Sequence, residues 1–126
     1  LLAAGCAADV CWIAGSGDWG VASNWSTGAV PSAAQSVRVS VAGDQLITVG
    51  GGTHSIGSIV MDEALRVAAG SITIGGAAAF NAPVTVDGGT LIANGDSTFS
   101  SLAVNGGALT VGDARVTGPV TYQGGT

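Results

Sequence analysis

Two aspartates in the carboxyl-terminal half of the chain have a spacing that could support hydrolysis. Asp96 and Asp113 lie 17 residues apart, close to the interval at which the surrounding sequence repeats. Retaining glycosidases hold two carboxyl groups about 5–5.5 Å apart, a separation that neighbouring coils could provide. Both residues follow glycine, in Asn94-Gly95-Asp96 and Gly112-Asp113, which are ordinary turn sequences, and the repeat places no lysine or arginine beside them. We therefore expect turn residues and predict no catalytic residue.

The other polar candidates also favour structural roles. His54 lies in a glycine-rich corner without a nearby cysteine or partner carboxylate, so we expect a surface histidine. Asp87, Asn105 and Gln123 recur at intervals of 18 and suggest a calcium ladder, but only one of them is charged, and hard cations need more oxygen charge. We expect these side chains to hydrogen-bond along a ladder instead, and we predict no metal and no cofactor.

The chain has two cysteines, Cys6 and Cys11, both outside the repeats. An even pair in an export-like chain indicates a disulfide in an oxidising compartment, whereas a structural zinc site needs four ligands. The stretch Leu1-Leu2-Ala3-Ala4-Gly5-Cys6 is also similar to the end of a bacterial lipoprotein signal, in which Cys6 would carry lipid. We favour a Cys6–Cys11 bridge, or an intersubunit one, and lipidation is the alternative.

An interval of about 18 residues organises most of the chain. Val84-Thr85-Val86-Asp87-Gly88-Gly89 returns as Leu102-Ala103-Val104-Asn105-Gly106-Gly107 and again from Val120, so both offsets are 18 (102 − 84 and 120 − 102). Weaker copies begin at Ile47 and Leu65. This period is too short for a helical pair or a propeller blade and suits one coil of a β-solenoid. We predict coils that start near residues 47, 65, 84, 102 and 120.

Alternation within each coil predicts which side chains face inward. Apolar residues occupy alternate positions in the first strand of the best-defined coil, as in a strand with one buried face. The predicted strands of that coil are Val84-Thr85-Val86, Leu91-Ile92-Ala93 and Thr98-Phe99-Ser100. Stacking the coils predicts internal columns: Val84 with Leu102 and Val120, Val86 with Val104 and Tyr122, Leu91 with Leu109, and Phe80 with Phe99 and Val116.

Glycines recur where the first strand of each coil ends. A corner that turns a strand sharply needs a positive φ, which glycine adopts without a steric penalty. We therefore assign the coil corners to Gly70, Gly88, Gly89, Gly106, Gly107, Gly124 and Gly125.

The composition excludes several classes of protein. Only 9% of the residues are charged, and lysine is absent. The chain has three arginines and eight acidic residues, which gives a net charge of −5. Three scattered cations do not provide the clustered charge that follows a nucleic-acid backbone, so we expect no nucleic-acid partner. No apolar run approaches the roughly 18–20 residues of a membrane span. Helix-forming residues are few, and we predict a single all-β domain.

Residues 12–36 differ from the repeats and contain all three tryptophans. The first coil of a solenoid exposes an unpaired edge and an open core, so it requires a cap, and each buried indole removes about 150–250 Å² from solvent. We predict a cap built from Trp12, Trp19, Asn24 and Trp25, with Asn24 as a structural hydrogen-bonding residue. A carbohydrate platform of exposed tryptophans is the alternative. The chain then divides into a signal remnant or amino-terminal arm (1–11), the cap (12–36) and the solenoid (37–126).

A resemblance rests on the same segment. The motif Trp12…Gly15-Ser16-Gly17-Asp18-Trp19…Asn24-Trp25-Ser26…Gly28…Val30-Pro31, followed by an alternating strand and glycine-rich repeats, resembles the opening module of giant bacterial surface proteins. These are autotransporter-like, β-strand-repeat adhesins with right-handed β-helix stems, and the resemblance covers essentially the whole chain. It implies a right-handed solenoid, export, an extracellular or cell-surface location, and adhesive or structural work. It supplies no catalytic residues.

The sequence stops within a coil, after Thr126. An uncovered coil end is a template for strand addition, so we hypothesise that copies of the chain associate head to tail. The predicted function is a non-enzymatic structural or adhesive β-solenoid outside a bacterial cell, either a fibre subunit or a piece of an adhesin stalk, with surface glycans as candidate ligands. The competing interpretation is a carbohydrate-binding or polysaccharide-cleaving β-helix protein.

Overall fold

The chain folds into a β-solenoid in which every strand pair is parallel. The computed structural model describes residues 8–41 and 45–123. As predicted, it is all-β, with about five turns of about 18 residues. Its one described helix is a short 3₁₀ turn, Ala22–Asn24. The strands are β1 (Val10–Cys11), β2 (Gly17–Asp18), β3 (Ser36–Val39), β4 (Leu46–Ile56), β5 (Ser58–Met61), β6 (Ala64–Ile74), β7 (Ala78–Phe80), β8 (Val84–Val86), β9 (Thr90–Phe99), β10 (Leu102–Val104), β11 (Ala108–Val116) and β12 (Val120–Tyr122).

Each coil passes through three faces of the solenoid. The first face stacks β2, the start of β4, the start of β6, β8, β10 and β12. The second face stacks the ends of β4 and β6 and the starts of β9 and β11. The third face stacks β1, β3, β5 and β7 with the ends of β9 and β11.

The register of the first face confirms the predicted coil starts. Ile47 pairs with Leu65, Leu65 with Val84, Val84 with Leu102, and Leu102 with Val120. Like side chains therefore lie one strand spacing apart, about 4.8 Å. The apolar members of the inner coils are buried and form one continuous core.

An aromatic stack runs along the third face. Phe80 pairs with Phe99, and Phe99 pairs with Val116, as the predicted column requires. The two phenyl rings lie nearly parallel, with centroids 5.0 Å apart and an interplanar angle of 14°. The spacing is close to that of the strands because the register places one ring directly above the other.

The strands are longer than the sequence predicts. Leu91-Ile92-Ala93 and Thr98-Phe99-Ser100 were expected as separate strands, but residues 90–99 form the single strand β9, which bends around Asn94-Gly95. The alternation of buried and exposed residues is interrupted at that bend. Pairing with the neighbouring coils stops at Ala93 and resumes at Asp96 with β11 and at Ser97 with β7, so the corner itself is a break in the ladder.

The glycine corners have two different physical causes. Gly70 has a φ of 71°, in agreement with the expected left-handed conformation. Gly88 does not have a positive φ; a β-carbon there would lie 2.6 Å from the carbonyl oxygen of Ala68 in the coil below. The positive-φ expectation is therefore wrong for four corner glycines, where backbone of an adjacent coil leaves no room for a side chain: Gly88, Gly89, Gly106 and Gly107. The other two predicted corners, Gly124 and Gly125, lie outside the described residues.

The three tryptophans close the amino-terminal end of the core. Each indole is 2% exposed or less, so they do not form an exposed carbohydrate platform. The Trp25 ring packs edge-on against Trp12 and Trp19, with centroids 5.0 and 4.7 Å away. The cluster joins the core of the first coils directly, and β2 pairs with the start of β4 beneath it.

Hydrogen bonds fix the loop that carries these rings. The indole N–H of Trp12 donates to the Gly15 carbonyl at 2.7 Å, and that of Trp25 donates to the Trp19 carbonyl at 2.9 Å. The Asn24 side-chain amide donates to the backbone carbonyl of Asp18 at 3.1 Å. These local bonds hold the backbone between Trp12 and Trp25 against the indoles and the Asn24 side chain.

The segment before the cap contributes a strand of its own. Val10–Cys11 pairs with β3, which places these residues in the sheet although the sequence assigns them to an arm. Cys11 is buried and disulfide-bonded. Cys6, its predicted partner, lies outside the described residues, so the identity of the bridge stays a prediction.

Candidate functional site

Two ladders of polar side chains connect neighbouring coils at two different corners of the solenoid, one after β8 and β10 and the other after β5 and β7. The Asn105 amide donates to Asp87 at 2.8 Å, and the Arg66 guanidinium donates to the second oxygen of the same carboxylate. These three residues belong to three successive coils. Asp87 and Asn105 are 18 residues apart, as the repeat predicts, whereas Arg66 precedes Asp87 by 21 and was not part of the predicted ladder. Hydrogen bonds to an ionised group contribute more than neutral ones, so the ladder fixes the relative position of the coils.

A second ladder was not foreseen from the sequence. The Asn81 amide donates to Asp62 at 2.7 Å, and Arg38 lies 3.4 Å from the same carboxylate. Asp62 and Asn81 are 19 residues apart (81 − 62), the same interval that separates Leu65 from Val84. That interval was the signal available in the sequence, but no glycine pair follows either residue to mark it.

Both ladders shift the pKa of their carboxylates in the same direction. The Asn81 hydrogen bond is the largest cause that lowers the pKa of Asp62 below its ordinary value, and Arg38 adds to it. The Asn105 hydrogen bond, followed by that of Arg66, lowers the pKa of Asp87. Donors that favour the charged form of an acid lower its pKa, so both acids are ionised at neutral pH and stabilise the stack.

Glu63 is a buried carboxylate with a local structural role. It is 7% exposed, and its two oxygens accept the backbone N–H groups of Val41 and Gln45 at 3.2 and 3.1 Å. Burying a charge is costly unless it is hydrogen-bonded. Glu63 therefore holds together the two described ends of the connection that spans residues 42–44.

The outer side of the third face carries a shallow groove of about 430 Å³. In β3, β5 and β7 alternate residues are buried and exposed, so one set points outward. One outward row runs across the strands in register, and it comprises Arg38, Val60, Ala79, Thr98 and Arg115. The small side chains in the middle of this row leave the depression between the larger ends.

The predicted acid pair lies at the end of this groove. Asp96 and Asp113 are Cα partners on β9 and β11, so the two carboxylates belong to adjacent coils. The expectation that they occupy turns is wrong, because both lie in strands that continue past the glycine corner. The two aspartates line a second depression of about 340 Å³ that adjoins the groove at Asp96 and Thr98, and Arg115 lines it with them, although the sequence predicts no arginine beside them.

His54 stands apart from this surface, on β4 near the cap. Its Nε2 atom lies 3.0 Å from the Gly51 carbonyl oxygen, and its ring centroid lies 6.4 Å from that of Trp19. No cluster of three or more histidine, cysteine or acidic side chains suited to a metal ion occurs within residues 8–41 and 45–123. In the same part of the chain, no helix has the length and apolar character needed to cross a membrane.

Comparisons with protein-family models, curated proteins and solved structures found no match to this chain.

Proposed function

We propose that the chain is a non-catalytic structural and adhesive β-solenoid that works outside a bacterial cell. The observation that carries this proposal is that charged side chains connect neighbouring coils. The two best-placed acids, Asp62 and Asp87, are hydrogen-bonded to side chains of neighbouring coils, where they stabilise a stack. Such a stack is a stiff rod whose sides present rows of small polar groups, as a stem or fibre requires. The resemblance of the tryptophan segment to surface adhesins supports the location.

Assembly of copies end to end is part of the proposal. The last described coil exposes Val120 and Tyr122 by 59% and 62%, and the cap end exposes Ile13 and Val21 by 50% and 44%. Exposed apolar side chains therefore lie on the cap and on the last described coil. A contact between the last coil of one copy and the cap of the next would be heterologous, and such contacts extend into filaments when they do not close into rings.

Light scattering after size-exclusion chromatography, combined with negative-stain electron microscopy, tests the assembly. We expect concentration-dependent association of the chain and a loss of association in Val120→Lys. The matched control is Leu46→Lys, which alters an exposed apolar residue on the side of the stack and should associate normally. Monomers at every concentration, or equal loss in both variants, would contradict end-to-end assembly.

A polysaccharide-cleaving β-helix is the second candidate, and the register of Asp96 with Asp113 is the observation in its favour. Two carboxyl groups on adjacent coils with Arg115 nearby have the residue types of a glycosidase. Incubation with a panel of polysaccharides, followed by a reducing-end assay, separates the two candidates. Turnover that disappears in Asp96→Ala would support the enzyme, whereas retained binding without turnover would support the adhesin.

A further inference from the structure

The groove on the third face has an apolar floor and unequal ends. Val60, Ala77 and Ala79 provide the floor, and the hydroxyl-bearing residues Ser58 and Thr98 line it. The groove reaches from β3 to β9, which is three strand spacings or about 14 Å. An extended peptide advances about 3.3–3.6 Å per residue, so about four residues span this length.

Arg38 stands at one end of the groove, and its charge is already matched. Its guanidinium lies 3.4 Å from Asp62. The other end is formed by Asp96 and, one strand further, by Asp113. The excess charge of the groove is therefore negative and is concentrated at the β9–β11 end.

These two carboxylates differ from the other acids of the described chain. Among residues 8–41 and 45–123, Asp96 and Asp113 are the acids whose carboxylate oxygens accept no hydrogen bond and form no ion pair, and Arg115 also forms none. Each of the remaining carboxylates accepts at least one hydrogen bond: Asp9, Asp18, Asp62, Glu63 and Asp87. Asp96, Asp113 and Arg115 line one depression, so two carboxylates share one arginine and the net charge there is −1. The two carboxylates on adjacent strands repel each other, and a further cation between them would relieve that repulsion.

We propose that this groove binds an extended segment of a partner protein that carries one lysine or arginine beside small apolar residues. The basic group lies between Asp96 and Asp113, and the small residues lie on the floor formed by Val60 and Ala79. Among residues 8–41 and 45–123, no aromatic side chain lines the groove. This part of the chain therefore offers no ring face on which a sugar could stack, and a peptide fits its chemistry better than a glycan. The inference rests on the adhesive part of the proposed function and names the partner's chemistry.

The test is a titration of the ¹⁵N-labelled chain, followed by NMR, with acetyl-Ala-Val-Lys-Ala-Ala-amide and with its norleucine counterpart. We expect amide shifts confined to β5, β7, β9 and β11. The lysine peptide should bind about three- to five-fold more tightly, as a solvent-accessible ion pair allows. In Asp96→Asn this preference should fall to about one. The control Asp18→Asn removes the same charge at a carboxylate near the cap and should keep the preference.

A further variant tests the floor. Ala79→Phe fills the groove from an outward-facing position and should abolish binding while the far-ultraviolet circular dichroism spectrum stays unchanged. Equal affinity for the two peptides, including no binding of either, would overturn the inference, and so would an equal loss in Asp96→Asn and Asp18→Asn. Light scattering of the chain without peptide measures end-to-end assembly independently. Loss of peptide binding can therefore be distinguished from loss of assembly.

Discussion

The tryptophan cap and the last described coil differ in the burial of their largest side chains, although Ile13 and Val21 at the cap are also exposed. At the amino-terminal end Trp12, Trp19 and Trp25 are at most 2% exposed, whereas at the other end Val120 and Tyr122 are 59% and 62% exposed. The tryptophans belong to a segment outside the repeat, and the exposed pair belongs to the repeat itself. A repeat unit buries its apolar residues only against another unit, so closing an end requires residues that the repeat does not contain.

Equivalent positions in β9 and β11 show the same effect without a change of residue type. Leu91 and Leu109 are Cα partners in the same column. Leu91 is fully buried, with β6 on one side and β11 on the other, whereas Leu109 is only partly buried. Burial here depends on the coil above, so stability should decrease along the axis from the cap to the last described coil.

The largest expected effect is at the cap. Trp19→Ala removes a fully buried indole and should lower the free energy of unfolding by about 3–5 kcal/mol. Tyr122→Ala truncates an aromatic side chain at the exposed end and should cost less than about 1 kcal/mol. Chemical denaturation followed by circular dichroism measures both. Similar losses would show that the two ends are equally closed.

The leucine column gives a comparison at matched chemistry. Leu91→Ala should lower the free energy of unfolding by about 2–5 kcal/mol, and Leu109→Ala should cost less than half as much because part of its side chain already contacts solvent. Denaturation midpoints at equal slope provide the measurement. A larger loss at Leu109 than at Leu91 would reverse the proposed gradient.

Substitution of the corner glycines tests why glycine is required there: because the backbone of the neighbouring coil lies too close for a β-carbon, or because the corner needs a positive φ. Gly88→Ala places a β-carbon 2.6 Å from the Ala68 carbonyl oxygen and should cost about 1–3 kcal/mol, as overpacking does. Gly51→Ala is the control, since nothing lies within 4 Å of its β-carbon and its φ is not positive. Thermal denaturation of the two variants should separate them, and equal melting temperatures would contradict the steric explanation.

The smallest effect concerns pH and the ladders. Because the pKa values of Asp62 and Asp87 are lowered in the folded chain, their stabilisation is complete above the unfolded pKa of about 3.9 and is lost as the pH falls through the folded pKa values. Stability should therefore be level from pH 7 to about 5 and decline below about pH 4. Asn105→Ala should lose under about 1 kcal/mol at pH 7 and show a shallower acid decline. If the free energy of unfolding of Asn105→Ala fell with acid as steeply as that of the unmodified chain, the stabilising role of Asn105 would be contradicted.

The sequence was sufficient for the parts of the fold that depend on alternation. Positions such as Val84 and Leu102 repeat in both spacing and polarity, and a parallel stack in register follows from them. The reason why position 88 requires glycine could not be predicted from the sequence, because it depends on where the carbonyl oxygen of the neighbouring coil lies. The placement of Arg115 beside Asp113 was missed because Gly112-Asp113 was assigned to a turn, whereas Asp113 and Arg115 lie two positions apart on β11, where alternate side chains face the same way. The groove likewise arises from side-chain sizes across four strands and has no local motif.

Native-state hydrogen exchange measured by NMR, at a concentration where light scattering reports a monomer, tests the central claim most directly. The claim is that successive coils stack in register from the buried tryptophan cap to the more exposed last described coil. We predict that backbone amides of β4, β6 and β8 exchange slowest, and that protection decreases through β10 and β11 to β12, since local opening requires less buried surface to be exposed there. Uniform protection along the axis, or stronger protection in β11 and β12 than in β6, would contradict the stacked arrangement with one closed end.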